Sequence, residues 1–201
     1  ISLTSSGTIT DGSSGYLVAD NLALLGGNVT LDHASNNIGT LAASGIGNLN
    51  YADSNALTIG TVGATNGISS TGTIDISTLT ADLNITSAIT TTDTSSSAIT
   101  LSTDDISIAA SVSSTGGITI KPTSAGATVG VGTGIGTLDI TSTHLGFLQD
   151  GFSSITLGGT SAGDLSVANM TSLQDDLILQ AGSSSDLFVT GPISCQAMTR
   201  L

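Results

Sequence analysis

The chain has 201 residues, a formal net charge of −13 from fifteen acidic residues against two Lys or Arg, and only 2% aromatic residues. So negative a surface repels phosphate backbones and has almost no cations with which to release counterions, which excludes nucleic-acid binding. The longest apolar runs are far shorter than the roughly 20 residues that span a bilayer, so no membrane insertion is expected. With so few aromatics, the core must consist of many small aliphatic side chains, each worth about 1.5–3 kcal/mol when fully buried.

In chain order, the predicted elements are short β-strands, each marked by two apolar residues with one residue between them. Side chains two positions apart point to the same face of a strand, so each pair buries one face while the residue between faces water. Aliphatic residues at such regular spacing argue against disorder. The pairs are Ile1/Leu3, Leu22/Leu24, Val29/Leu31, Leu49/Tyr51, Leu57/Ile59, Ile74/Ile76, Leu83/Ile85, Ile99/Leu101, Ile106/Ile108, Ile118/Ile120, Val129/Val131, Leu138/Ile140, Ile155/Leu157, Leu165/Val167, Leu177/Leu179 and Leu187/Val189.

The spacing of these pairs predicts a repeat. The step to the equivalent pair is 27 residues from Leu22 to Leu49 and 28 from Val29 to Leu57, and the later steps as far as Ile106 are 23 to 26 residues. A drift of this size is typical of a solenoid with variable turns. Lone apolar residues between the pairs are expected to supply a third face; they are Ile38, Ile68, Ile89 and Val112. The pattern therefore predicts an all-β fold, a three-sided parallel β-solenoid with about 20–28 residues per coil.

The chain is predicted to form one elongated solenoid over residues 1–201, with more regular coils over 1–120 and less regular coils over 121–191. Glycines take the outward positions between Val129 and Leu138, and a longer turn or a small excursion is expected from His144 to Phe152. Pro192 cannot donate to a strand ladder, so residues 192–201 are predicted to be a terminal tail or cap.

Residues 27–62 carry a family resemblance. The phrases Asn-Asn-Ile-Gly-Thr-Leu at 36–41 and Leu-Thr-Ile-Gly-Thr-Val at 57–62, with Thr-Ile-Asp-Ile-Ser at 73–77, resemble the repeats of filamentous-haemagglutinin-like bacterial surface adhesins, which are large secreted β-helix proteins. The resemblance covers roughly residues 22–120. It implies a right-handed parallel β-helix, an extracellular or bacterial cell-surface location, and an adhesive or stalk role. It implies no catalytic residues, and none are assigned.

Hydrolysis of sugar chains is the enzyme activity most natural to a β-helix, and it needs two carboxyls about 5–10 Å apart on one face. The candidates are Asp104/Asp105 and Asp175/Asp176, but neighbours in an extended strand point to opposite faces. A lyase mechanism also needs a basic residue, and Lys121 and Arg200 stand alone. The sequence therefore predicts no enzyme and no catalytic or cofactor-binding residues.

Metal binding has equally weak support. Asp side chains are calcium ligands, but Gly116-Gly117 and Gly158-Gly159 lack the following Asp of a calcium-binding β-roll, so only adventitious calcium stays open. The two histidines, His33 and His144, are far apart in sequence, and Cys195 is the single cysteine, which excludes a disulfide within the chain. No cofactor and no metal site is predicted.

Two surface features remain. Thr-x-Thr pairs occur at Thr8/Thr10, Thr71/Thr73, Thr78/Thr80, Thr90/Thr92, Thr92/Thr94 and Thr141/Thr143, but at no constant step, which disfavours a regular ice-binding array. Three sequons are glycan acceptors in a compartment with the required enzyme. They are Asn28-Val-Thr30, Asn84-Ile-Thr86 and Asn169-Met-Thr171.

The favoured function is a non-catalytic structural or adhesive shaft of a secreted or cell-surface adhesin-like protein. The alternative is a subunit of a self-assembling extracellular filament or sheath, since exposed terminal coils template stacking unless they are capped. A carbohydrate-active β-helix enzyme is a weaker alternative. The expected partners are a further copy of the chain, stacked end to end, and a host or cell-surface glycan or protein ligand.

Overall fold

The computed structural model describes residues 1–79 and 81–195, and they form short strands joined by tight turns. In chain order the elements are β1 (Ser2–Thr4), β2 (Thr8–Thr10), β3 (Val18–Leu25), β4 (Asn28–Leu31), β5 (Asn37–Ile46), β6 (Leu49–Asp53), β7 (Leu57–Ile59), β8 (Thr61–Val62), β9 (Thr65–Asn66), β10 (Ile68–Ser70), β11 (Ile74–Thr78), β12 (Asp82–Ile85), β13 (Ile89–Thr91), β14 (Ile99–Ser102), β15 (Asp105–Ile108), β16 (Val112–Ser113), β17 (Gly117–Lys121), β18 (Val129–Gly132), β19 (Leu138–Thr141), α1 (Ser142–Leu145), β20 (Ser154–Gly158), β21 (Leu165–Ala168), β22 (Met170–Leu173), β23 (Leu177–Gln180), β24 (Leu187–Val189) and β25 (Ile193–Cys195).

The strands stack into a parallel β-solenoid of about eight turns, which confirms the predicted fold class. The first face is a sheet of eight strands in the order β2, β4, β6, β11, β14, β17, β20 and β23. The second face runs through β7, β12 and β15, and the third through β10, β13 and β16. The long strand β5 serves both of these faces, because it pairs with β7 at Thr40 and Leu41 and with β10 from Ala43 to Ile46. The right-handed sense of the coil stays a prediction.

The core is one continuous column of aliphatic side chains. Ile59, Ile76, Ile85, Leu101 and Ile108 are all buried in it, as their spacing predicts. The alternate positions face outward and are half-buried or exposed; they are Thr58, Asp75, Asn84, Thr100 and Ser107. In-register pairing places each buried residue directly above its counterpart, as in Leu49, Ile74 and Ile99. The column therefore gains burial with every added coil.

The first two predicted steps of the repeat are wrong. Leu22 pairs with Leu41 rather than with Leu49, and Val29 pairs with Leu49 rather than with Leu57. The intervening strand β5 buries Leu41 beside two alanines, and alanine does not stand out in an apolar pattern. These first coils therefore contain about 20 residues instead of 27 or 28.

One of the four residues assigned to the third face is also misplaced. Ile68, Ile89 and Val112 stack on that face as predicted. Ile38 instead pairs with Ala19, at the start of the second face. At that level the third face is filled by Ala43, which pairs with Ile68.

The coil that follows β17 contains an extra strand. Strands β18 and β19 lie side by side and parallel, joined only by residues 133–137. Parallel neighbours ordinarily need a crossover of a dozen residues or more. Here the connecting segment runs back over β18, and a Cβ on Gly130 would lie 2.6 Å from the Gly134 oxygen and 2.7 Å from the Gly136 nitrogen. The outward glycines are therefore required by this close backbone approach.

A short helix occupies the third face in the same coil. Thr141 caps α1 by accepting a hydrogen bond from the His144 amide, and His144 Nδ1 accepts one from the Thr141 amide in return. The chain then rejoins the third face through a single bridge between Leu148 and Val112. Phe152 is buried beneath this segment, and Phe147 packs partly against the core.

Of the predicted terminal tail, residues 193–195 form β25, which pairs with β22. Residues 196–201 lie outside the described part of the chain, as do Thr80 and the side chains of Thr171, Ser172 and Cys195.

Candidate functional site

The two carboxyls of each candidate catalytic pair have different surroundings. Asp104 accepts hydrogen bonds from the amides of Thr123 and Ser124 and from the Ser124 hydroxyl, so it ties one turn to the turn of the next coil. Asp105 is exposed at the start of β15. Asp176 is also exposed, while its neighbour Asp175 is half-buried.

Asp175 does meet another carboxyl, but one from the preceding coil. It accepts a hydrogen bond of 3.1 Å from the Gly151 amide, and the carboxyl of Asp150 lies close enough for its charge to act on that of Asp175. Burial raises the pKa of the Asp175 carboxyl, the amides of Gly151 and Phe152 lower it, and the charge of Asp150 raises it again. Asp150 and Asp175 are about one coil length apart in the sequence, so a pattern of adjacent carboxyls does not reveal this pair.

Asp150 lines two recesses at the surface, where the irregular coil meets the regular coils. One has a volume of about 350 Å³ and is bounded by Thr91, Thr92, Ser113, Ser114, Thr115 and Asp150. The other has a volume of about 160 Å³, and its walls include Leu148, Leu173, Gln174 and Asp175. We call the two recesses together the Asp150 groove.

A second polar cluster is buried at the corner between the first and second faces. Asp53 accepts hydrogen bonds from the Tyr51 hydroxyl at 2.7 Å, from the Ile38 amide at 2.9 Å and from the Asn55 amide at 3.0 Å. Burial raises the pKa of the Asp53 carboxyl, and these hydrogen bonds lower it in part. Burial and the neighbouring carboxylate also raise the pKa of Tyr51. The Asp53 oxygens are occupied by protein donors, so the cluster is structural.

Stacked hydroxyls fill other corners. The Thr78 hydroxyl lies 2.7 Å from that of Thr103, and Thr123 donates to the Thr78 carbonyl oxygen at 2.9 Å. Among the described residues, every buried side-chain nitrogen or oxygen has a hydrogen-bond partner. These groups therefore satisfy the turns, where backbone atoms leave the ladders.

The isolated histidines and the lysine have local roles. His33 stacks on Tyr16 with ring centroids 5.7 Å apart. Burial lowers the pKa of His144. Burial raises the pKa of Asp75, while the positive charge of Lys121 lowers it. Within residues 1–79 and 81–195, no three His, Cys, Asp or Glu side chains come together as a metal site would require.

An outward row on the first face corrects the argument from threonine spacing. In-register pairing brings Thr10, Thr30, Asn50, Asp75, Thr100, Thr119, Thr156 and Ile178 into one line, although their sequence steps differ. The corners accommodate turns of unequal length. Residues separated by unequal numbers of positions in the sequence can therefore still form a regular row. Asn50 and Asp75 interrupt the threonines in it.

The sequon asparagines and the glycine pairs also take part in the turns. Asn28 Oδ1 accepts a hydrogen bond of 2.9 Å from the Asn48 amide, and Asn169 donates to the Thr133 hydroxyl at 2.9 Å. Asn84 lies at an outward position of β12 and is half-buried. Gly158 has a φ of 93°, a conformation that favours glycine.

Comparison with protein-family models, with curated proteins and with solved structures gives no match. The described residues contain no helix that is both long enough and apolar enough to cross a bilayer. The architecture itself is that of a β-solenoid repeat protein.

Proposed function

We propose that this chain is a non-catalytic shaft of a secreted or cell-surface adhesin-like protein, which holds a binding region at a distance. The observation that carries the proposal is the unbroken stack of eight parallel strands on the first face. At about 4.8 Å between strands, this stack spans about 34 Å along the axis. Each strand inside this stack is hydrogen-bonded to the coils below and above it, so the coils resist bending.

The chemistry of the surface supports the same function. The outward positions of the first face are almost all Thr, Asn, Asp or Ser, and the formal charge of −13 keeps neighbouring shafts apart. A long shaft needs no large cavity, and its interior here is filled by aliphatic side chains. Such a design lets length vary by whole coils without a change in the fold.

Duplicating one coil tests this proposal. Residues 49–73 form one complete coil, because Leu49 pairs with Ile74. A variant with a second copy of residues 49–73 inserted after Thr73 is expected to fold and to lengthen by about 4.8 Å. Small-angle X-ray scattering of both proteins measures the change in maximum dimension.

The matched control carries a scrambled version of the same inserted residues. It is expected to form a disordered loop, with no rise along the axis and with a lower proportion of β-structure in circular dichroism. If the duplicated coil behaves like the scrambled one, the coil is not an independent unit of length and the shaft proposal fails.

The alternative, a subunit of a self-assembling filament, has its own supporting observation. In the last coils Leu187 and Val189 are 43% and 61% exposed, although the equivalent residues of earlier coils are buried. Such a surface fits a further coil, from the same chain or from another copy. Sedimentation velocity over a range of concentrations distinguishes the two functions, because a filament subunit grows in mass as concentration rises and a shaft segment does not.

A further inference from the structure

The Asp150 groove lies where the regular coils are interrupted. Its inner wall is fixed, because the Thr91 hydroxyl donates to the Gly72 carbonyl oxygen at 2.6 Å and the Ser114 hydroxyl donates to the Asp93 carbonyl oxygen at 3.0 Å. Its rim carries hydroxyls that face solvent: Thr92 and Thr115 are exposed, and Ser113 follows the buried Val112 on the outward side of β16. A carboxylate, Asp150, stands beside them.

The second recess extends the same surface past Asp150. Leu148 and Leu173 give it an apolar floor, and Gln174 and Asp175 add an amide and a second carboxylate. Hydroxyl, amide and carboxylate groups around apolar carbon are the groups that recognise a ligand with many hydroxyls on a hydrocarbon ring. The larger recess, at about 350 Å³, falls within the range of small-ligand sites, about 300–1,000 Å³.

The charge of the chain decides which saccharides fit. The protein has a formal charge of −13, and the groove itself contains two carboxyls, so an anionic glycan is repelled. A neutral sugar can instead donate hydroxyl protons to a carboxylate, which accepts strong, charge-assisted hydrogen bonds.

We propose that the Asp150 groove binds a neutral oligosaccharide, with Asp150 accepting hydrogen bonds from sugar hydroxyls and the Thr92, Ser113 and Thr115 hydroxyls lining its path. The site is a binding site and not a catalytic one. It goes beyond the shaft function and does not depend on it, since a shaft needs no ligand and the groove needs only the irregular coil and the two coils before it.

The experiment uses the full chain and a panel of neutral hexasaccharides of glucose, mannose, galactose and N-acetylglucosamine. Each sugar is tested by saturation-transfer NMR at about 10 mM, well above a weak Kd of about 1 mM, and any binder is then measured by calorimetry. At least one sugar is expected to bind. Asp150→Ala is expected to weaken binding by about 10-fold or more, and Ser113→Val by a smaller factor.

The control is Asp105→Ala, which removes an exposed carboxyl of the second face and is expected to leave binding unchanged. Circular dichroism of each variant confirms that it is folded, which Asp150→Ala should be, since it removes a charge next to Asp175. The proposal is overturned if no sugar of the panel binds, if Asp105→Ala weakens binding as much as Asp150→Ala, or if a hexagalacturonate binds more tightly than the neutral sugars. Loss of binding with chelator overturns direct recognition by Asp150, because a bound cation is then the contact.

Discussion

The coils from Leu49 to Lys121 and the coils from Val129 to Leu173 build the same faces in different ways. In the first region the strands of the first face pair with the strand one coil later, as Ile74 does with Ile99, while the short β8 and β9 pair antiparallel with each other. In the second region β18 has its neighbour β19 from the same coil on one side and β21 from the next coil on the other. The first region is stabilised by side chains that fill the core. The second region also requires residues 133–137 to pack closely over the backbone of β18.

This difference shows at which positions a solenoid tolerates substitution. In the regular coils, an outward residue such as Asp75 contributes little to the core. In the irregular coil, the outward position Gly130 is covered by the returning chain, so it is as constrained as a core position. The irregular coil is also where the chain opens the Asp150 groove. The comparison therefore separates positions that set the fold from positions free to carry function.

The largest effect is expected in the core of the regular region. Ile76→Asp places a carboxylate among side chains that are fully buried, and its desolvation has no compensating partner. We expect a loss of at least about 4–5 kcal/mol in the free energy of unfolding, enough to abolish cooperative unfolding in urea. The paired control, Asp75→Ser, changes an outward residue of the same strand and is expected to shift stability by no more than about 0.5 kcal/mol. Similar effects from the two substitutions would contradict the assignment of inward and outward positions.

The next effect tests the irregular region. Gly130→Ala adds a single methyl group, but that carbon would lie 2.6 Å from the Gly134 oxygen, so the returning segment has to shift. We expect a loss of about 1–3 kcal/mol, measured by urea unfolding. Ser107→Ala, at an exposed outward position of β15, is the control and is expected to change stability by less than about 0.5 kcal/mol. A harmless Gly130→Ala would mean that residues 133–137 do not pass over β18.

Much of the fold is predictable from the sequence because the chain repeats one physical rule. Pairs such as Leu57/Ile59 and Leu83/Ile85 alternate strictly with polar residues, and alternation with period two allows only one inward set. The sequence predicts the two early steps wrongly because β5 buries alanines beside Leu41, and an alanine carries too little apolar area to mark a face.

The contacts that lie between coils were harder to predict. Nothing in the local pattern around Val129 and Leu138 shows that these two pairs share one face, since the rule for parallel strands leads one to expect a crossover between them. The pairing of Asp150 with Asp175 likewise depends on how the turn of one coil lies over the turn of the next. Such contacts follow from the lengths of the turns, which the apolar pattern does not determine.

A smaller effect distinguishes the corners from the faces. Thr103 is fully buried, and its hydroxyl lies 2.7 Å from the Asp105 carbonyl oxygen and 2.7 Å from the Thr78 hydroxyl. Thr103→Val keeps the shape but removes the hydroxyl from the Asp105 carbonyl oxygen, while the Thr78 hydroxyl keeps its hydrogen bond to the Ala81 carbonyl oxygen, so we expect a loss of about 1–3 kcal/mol. Thr100→Val, at an outward position of β14, is the matched control and should be nearly neutral. Chemical denaturation of both variants measures the difference, and equal stabilities would show that the stacked hydroxyls do not support the corner.

The last effect concerns pH and compares Asp53 of the regular region with Asp175 of the irregular one. Burial raises the pKa of both carboxyls in the folded state above the usual value of 3.8. The folded state then binds protons more readily than the unfolded state, so ionisation of these groups destabilises the fold at neutral pH. This penalty disappears as pH falls through the folded pKa towards 3.8. Asp53→Asn removes the charge, but its single carbonyl oxygen replaces two carboxylate oxygens and its NH2 group faces an N–H or O–H donor. It is therefore expected to lower the melting temperature at both pH values, and by less at pH 7 than at pH 4, where the parent no longer carries the charge penalty. Asp175→Asn should show the same trend more weakly, because Asp175 is only half-buried and water already screens it.

The measurement compares the melting temperature of each variant with that of the parent at both pH values. The opposing contribution of His144 is the same in variant and parent, so it cancels in this difference. A smaller loss of melting temperature for Asp53→Asn at pH 4 than at pH 7 would reverse the sign and contradict the burial of an ionised carboxyl in the regular coils.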